Sequence, residues 1–164
     1  MNSQEILDSI ADRTLVCGTV GLGYVGLPLA VEKAKAGFKT LGFDVQQDKV
    51  DLVNRGENYI GDVVQEDLKQ LVDAGMLEAS NDFSRVKECD FVAICVPTPL
   101  DEHQQPDTSY MEASAAEIAP FLKKGAMVVL ESTTYPGTTE DLIKPILEEG
   151  SGLTCGEDFF LGFS

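Results

Sequence analysis

Two rhythms of apolar positions run along this chain. Short, almost unbroken apolar runs read as strands buried on both faces of a parallel sheet, and longer stretches with apolar residues every three or four positions read as amphipathic helices. The pattern predicts a short helix over 2–11, with Asn2 and Glu5 at capping-box spacing, and a first strand over 14–20. A helix over 24–36 follows and stops at Gly37; Pro28 lies near its first turn, where a missing amide matters least. Strand two spans 38–43. Two helices, over 46–55 and 62–74, then occupy the place where a minimal βαβ unit has one crossover. A short third strand is expected over 77–80, a helical turn over 82–89, and a fourth strand over 90–96 in the run DFVAICV. Pro97-Thr98-Pro99 halts that strand, and 100–108 reads as a polar, irregular and flexible loop holding a solvent-facing His103. A helix over 109–122, a fifth strand over 126–131, a turn over 132–137, a helix over 138–149 that Pro145 kinks, and a sixth strand over 158–163 complete the pattern.

Six strands alternating with helices make an α/β protein, a doubly wound parallel six-stranded sheet (Rossmann fold) with expected strand order 3-2-1-4-5-6. In such sheets ligands sit beyond the carboxyl ends of the strands. The tips that matter are therefore 21–25, Asp44, Pro97 with Thr98, and 132–135.

The first tip carries specific chemistry. Strand one runs into Gly21, Gly23 and Gly26 and then directly into a helix. In that setting the first glycine permits a tight turn, the second lets the backbone approach a pyrophosphate, and the third lets helix and strand pack closely. Free amides at the helix start would face the phosphates. Asp44 ends strand two, 18 residues after Gly26, where a carboxylate accepts from the 2′ and 3′ hydroxyls of an adenosine ribose and repels a 2′-phosphate. NAD is favoured over NADP. The other reading of Asp44 is an N-cap for the following helix, and the two roles are compatible.

Composition narrows the picture further. The 164 residues, 43% hydrophobic and 24% charged, fit one globular domain over 14–164 with 1–13 as a helical appendage. A net charge of −16 argues against nucleic acid and against long-range attraction of an anionic cofactor, so phosphate binding must rest on local amides. Cys17, Cys89, Cys95 and Cys155 show no C-x-x-C spacing and read as reduced thiols, and with a single histidine no metal site is expected. No stretch has the length of a membrane span and no signal pattern opens the chain, so a cytoplasmic location is expected.

GLGYVGLPLA, GFDVQQDKV, VPTPL with PDTSY downstream, and ESTTYPGTT together resemble the nucleotide-sugar dehydrogenases, the UDP-glucose/GDP-mannose dehydrogenase family, over about residues 14–164. The likeness leans to the UDP-N-acetylglucosamine and UDP-N-acetylmannosamine branch. Members oxidise the C6 alcohol of a sugar nucleotide to a carboxylate with two NAD, a step of polysaccharide biosynthesis. The resemblance implies that Gly21, Leu22, Gly23, Tyr24 and Val25 line the pyrophosphate and that Asp44 and Lys49 lie at the adenosine ribose. It also implies that Val96, Pro97 and Thr98 pack near the adenosine and the nicotinamide-side ribose, and that Thr133 positions a water beside the reacting carbon. Read without it, Lys49 is a solvated helix lysine and Thr133 a capping hydroxyl.

The same resemblance places the catalytic cysteine, with its lysine and asparagine partners, the sugar-nucleotide site and the homodimer helix in a C-terminal half that these residues do not include. The chain is expected to bind NAD without turning over sugar nucleotide. Two other readings stand beside this one: a stand-alone or degenerate NAD-binding module, and the cofactor domain of a β-hydroxyacid dehydrogenase relative.

Overall fold

A computed structural model describes residues 2–131 and 139–164. Strands β1 (Cys17–Val20), β2 (Thr40–Phe43), β3 (Leu77–Ser80), β4 (Phe91–Ile94), β5 (Met127–Leu130) and β6 (Phe160–Phe163) form one parallel sheet in the order β3-β2-β1-β4-β5-β6. This is the expected order. Its centre positions the site: Val20 pairs with Phe43 on one side and Ile94 on the other, so β1, β2 and β4 end level. The residues that follow them meet above the sheet.

Six α-helices flank the strands among the described residues: α1 (Ser3–Ala11), α2 (Gly26–Lys35), α3 (Gln47–Asn54), α4 (Gln65–Asp73), α5 (Ser109–Ile118) and α6 (Lys144–Ser151). Strand residues alternate between two apolar layers. On one face Leu27, Val31, Val50, Val53, Leu68 and Leu77 bury α2, α3 and α4 against the sheet. On the other, Leu41, Phe43, Val92, Ile94, Ile118 and Val128 pack with α5 and α6. Gly42 lies between Leu41 and Phe43 on the first face, and the missing side chain is replaced by Leu22. A Cβ built on Gly42 would stand 2.7 Å from Leu22 Cδ2.

Differences from the expected boundaries have local causes. The first strand begins at Cys17 rather than 14, because the Thr14 and Leu15 amides turn back to the Ser9 carbonyl and the Val16 amide is taken by the Asp90 carboxylate at 3.0 Å. The helix expected from 62 begins at Gln65. Before it, the Asn58 amide donates to the Ile60 and Val63 carbonyls at 2.8 and 2.6 Å, which holds that stretch as a turn. The turn expected over 82–89 is a 3-10 helix, Phe83–Glu88, started by Asp82 accepting from the Ser84 amide. Pro120 has no amide to donate, and α5 accordingly gives way to a 3-10 turn, Ala119–Phe121.

The helix expected over 138–149 is, in its described part, a π-helical turn (Thr139–Ile143) leading into α6. Pro145 lies in the first turn of α6, directly after the π-helical turn. Residues 100–108 fold into a closed hairpin-like turn: Asp101 Oδ1 accepts from the His103 and Gln105 amides at 2.8 and 2.9 Å, and the Asp107 amide donates to Pro99 O at 2.7 Å. His103 is exposed, as expected. The helix α1 carries its capping box, with Glu5 N to Asn2 Oδ1 at 2.9 Å and Asn2 N to Glu5 Oε2 at 2.7 Å.

Candidate dinucleotide site

The sequence after β1 must turn back over the strand tips within a few residues. Gly21 makes the turn with φ of +92°, and its amide donates to Phe43 O at 2.7 Å. A Cβ on Gly21 would lie 2.7 Å from the Cys95 carbonyl oxygen, and one on Gly26 would lie 1.6 Å from the Gly21 carbonyl oxygen. Both positions are closed by backbone, which cannot move aside cheaply. Gly23 is the opposite case: a Cβ there meets no protein atom within 4 Å. Packing therefore explains glycine at 21 and 26 and leaves it unexplained at 23.

No group among the described residues accepts from the amides of Gly23, Tyr24, Val25 and Gly26, which lead into α2. Four amides without an acceptor at the positive end of a ten-residue helix form a place for an anion. The Leu22 amide is not one of them. It donates to Asp44 Oδ2 at 2.9 Å, while the Leu22 side chain is fully buried.

Asp44 itself is 8% exposed. Its second oxygen, Oδ1, accepts from the Gln46 amide at 2.8 Å. It precedes α3 by a local turn and is not that helix's cap, a position held by Gln46 without a side-chain bond. Each carboxylate oxygen accepts one backbone amide and retains capacity for another donor. The geometry thus holds a charged acceptor rigidly at the end of β2 with its remaining lone pairs available.

These parts line one cleft of about 870 Å³. Of the residues singled out in the sequence, Gly21, Leu22, Gly23, Tyr24, Val25, Asp44, Lys49, Val96, Pro97 and Thr98 all border it. Pro97 is exposed, two residues beyond the Cys95 amide that donates to Val20 O at 2.7 Å at the β4 tip. Thr133 lies outside the described residues.

The cleft also contains residues that sequence reasoning did not single out. Tyr59, from the turn between α3 and α4, donates its hydroxyl to Leu22 O at 2.7 Å. Tyr110, Ala113, Ser114 and Glu117 of α5 form a facing wall, and Glu131 follows β5. A signal for the wall existed. Positions 110, 113, 114 and 117 are a helical stripe that the buried stripe of Met111, Ala115 and Ile118 leaves over.

The charge balance fits a site built on amides. Asp44, Glu117 and Glu131 border the cleft and Lys49 is the one cation among its described lining residues. Burial, with Glu131 nearby, pushes the Cys95 thiol up to about 12, so it stays protonated and is no nucleophile. Burial likewise raises Cys17 and Cys155, and Cys89 to about 12. All four are free thiols. Tyr59 is pushed well above its ordinary value by burial and then by Asp44, so its hydroxyl remains a donor. Among the described residues there is no cluster that could hold a metal ion and no helix long and apolar enough to cross a membrane.

A level trio of parallel strand tips, a glycine turn opening a helix and an acid ending the second strand define the class of dinucleotide-binding domains. More particularly, the chain belongs to the UDP-glucose/GDP-mannose dehydrogenase family, matching its NAD binding domain over residues 15–163. It is 41% identical over 152 residues to the UDP-N-acetyl-D-glucosamine 6-dehydrogenase of Pseudomonas aeruginosa, covering 93% of this chain and 35% of that protein. It is 42% identical over 139 residues to the UDP-N-acetyl-D-mannosamine dehydrogenase of Escherichia coli (strain K12), covering 82% and 32%. Among solved structures, a ternary complex of GDP-mannose dehydrogenase from Pseudomonas aeruginosa superposes with a TM-score of 0.85 at 32% identity, over 90% of this chain and 35% of that one. The chain thus spans about a third of the length of the curated relatives it matches. Its cofactor is NAD.

Proposed function

We propose that the cleft above β1, β2 and β4 holds NAD as the oxidant of a nucleotide-sugar 6-dehydrogenase acting on a UDP-N-acetylhexosamine. The observation that carries this reading is Gly23, a position without a side chain where the protein itself fills none of the space a Cβ would need. The groups around it fit the cofactor. The amides of Gly23, Tyr24 and Val25 bind the pyrophosphate, and Gly21 and Gly26 allow that loop to exist. Asp44 accepts from the adenosine ribose hydroxyls while Leu22 and Gln46 fix its orientation, and Lys49 flanks that ribose. Val96, Pro97 and Thr98 support the cofactor beyond the β4 tip.

Bound NAD supplies the hydride acceptor for oxidation at sugar C6. Thr133 is assigned, from the motif ESTTYPGTT, to positioning a water at the nicotinamide end. The free thiols here are protonated packing groups, and the covalent nucleophile is assigned to the two thirds of the relatives' length that this chain does not match. A UDP-N-acetylhexosamine as substrate rests on the names of the relatives. The whole enzyme is a cytoplasmic homodimer with 1–13 as a helical appendage.

Thermal unfolding of the 164-residue chain with NAD and with NADP tests the cofactor site. NAD raises Tm and NADP raises it less, because a 2′-phosphate meets the Asp44 carboxylate. Equal stabilisation by the two removes the role given to Asp44, and no stabilisation by NAD removes the site.

A further inference from the structure

Both polar groups of Leu22 are held by side chains from outside the glycine loop. Asp44 accepts from its amide, and Tyr59 donates to its carbonyl oxygen at 2.7 Å. The carbonyl of Leu22 and the amide of Gly23 belong to one planar trans peptide, so they point in opposite directions. Fixing the first fixes the second. Gly23 is the residue least able to hold that plane by its own backbone preferences.

Tyr59 is itself firmly placed. Asn58, its neighbour, donates to the Ile60 and Val63 carbonyls, and its Oδ1 accepts from the Ile60 amide at 2.9 Å. The Asn58 amide donates to Gln65 Oε1 at 2.8 Å, and the Gln65 amide group donates to Gly56 O. Ile60 and Val63 are buried against the α2–α4 layer. The turn between α3 and α4 therefore delivers one hydroxyl to one carbonyl of the phosphate loop.

We infer that Tyr59 is a positioning residue for pyrophosphate, its hydroxyl latching the Leu22–Gly23 peptide so that the Gly23 amide faces the cleft. This rests on the cofactor reading above. Without the latch the peptide can rotate between Leu22 and Gly23, and the population with the amide turned away is unable to bind phosphate there.

The test is Tyr59→Phe, with affinities for NAD and for adenosine measured by calorimetry and the Gly23 amide followed by 15N–1H correlation spectra. In the wild-type chain the Gly23 amide resonance shifts on addition of NAD. In Tyr59→Phe, NAD binds about 3- to 10-fold more weakly, the net worth of one hydrogen bond, and adenosine, which has no phosphate, binds as before. Unchanged NAD affinity in the variant, or an equal loss for adenosine and NAD, overturns the latch. So does a wild-type Gly23 amide that ignores NAD while NAD binds, a result that stands even if Tyr59→Phe fails to fold. Absence of NAD binding to the wild-type chain instead overturns the cofactor reading.

Discussion

Alanine at positions 23 and 26 separates what the glycine loop does for the fold from what it does for the ligand. At Gly23 the added methyl touches no protein atom within 4 Å, and the backbone there is not in the left-handed region. Gly23→Ala therefore leaves the free chain intact. It restricts the unfolded state, which raises stability by about 0.4–1 kcal/mol, or roughly 1–4 °C in Tm for a chain of this size. The ligand sees the reverse. A methyl in the path of a phosphate forces displacement worth about 1–3 kcal/mol and weakens charge-assisted bonds from the amides, together on the order of 100-fold in affinity.

Calorimetry and thermal unfolding read both effects. At a concentration of about 100 Kd, NAD adds about 2.7 kcal/mol to the wild-type chain, or roughly 5–11 °C. At that same concentration Gly23→Ala gains about 0.4 kcal/mol, near 1 °C. Gly26→Ala behaves differently, because its methyl would stand 1.6 Å from the Gly21 carbonyl oxygen. It loses several kcal/mol of stability with or without ligand. A Gly23→Ala chain that binds NAD like wild type refutes the placement of pyrophosphate against Gly23.

Two further outcomes follow from individual side chains. Asp44→Asn weakens NAD about tenfold and narrows the preference over NADP, because charge-assisted bonds of about 1.5–3 kcal/mol become neutral ones; titration with both nucleotides measures the ratio, and an unchanged ratio counts against the carboxylate as the discriminator. Lys33 carries a buried amine with no hydrogen-bond partner, 4.1 Å above the Phe91 ring, and burial lowers its pKa from 10.5. Its folded form disfavours the charge, so stability is lower below the folded pKa and recovers as pH rises towards 10.5. Lys33→Met removes that pH dependence and raises stability by about 1 kcal/mol, after the lost cation–π contact is set against the relieved desolvation. A Tm that falls instead means the amine is better solvated than its surroundings indicate.

Much of this architecture was legible because each strand is a short apolar run that a parallel sheet buries on both faces. The order of strands followed from alternation together with the glycine turn that marks a dinucleotide-binding sheet, and the tips followed from the order. Boundaries were less legible, because long-range partners decide them: Asp90 takes the Val16 amide and Ser9 takes those of Thr14 and Leu15. The spacing assigned a tight turn to Gly21 and close packing to Gly26, and both agree with the structure. The packing adds the reason, since those two are closed by backbone oxygens and Gly23 is open. Tyr59 was not legible, as its use depends on a turn that brings position 59 to a carbonyl at position 22. The wall contributed by α5 was half visible, as a second stripe on a helix already assigned an apolar one.

With NAD placed as proposed, Asp44 holds the Leu22 amide while its remaining lone pairs take the ribose hydroxyls, so cofactor choice and loop order are written into the same two oxygens. An attempt to re-engineer this domain for NADP by exchanging the acid for a small or basic residue would remove a 2′-phosphate repulsion and, in the same stroke, release the loop that must grip the pyrophosphate. The switch would need a second change that returns an acceptor to Leu22. In that sense the proposed preference for NAD is protected from single substitutions by the architecture that would express it.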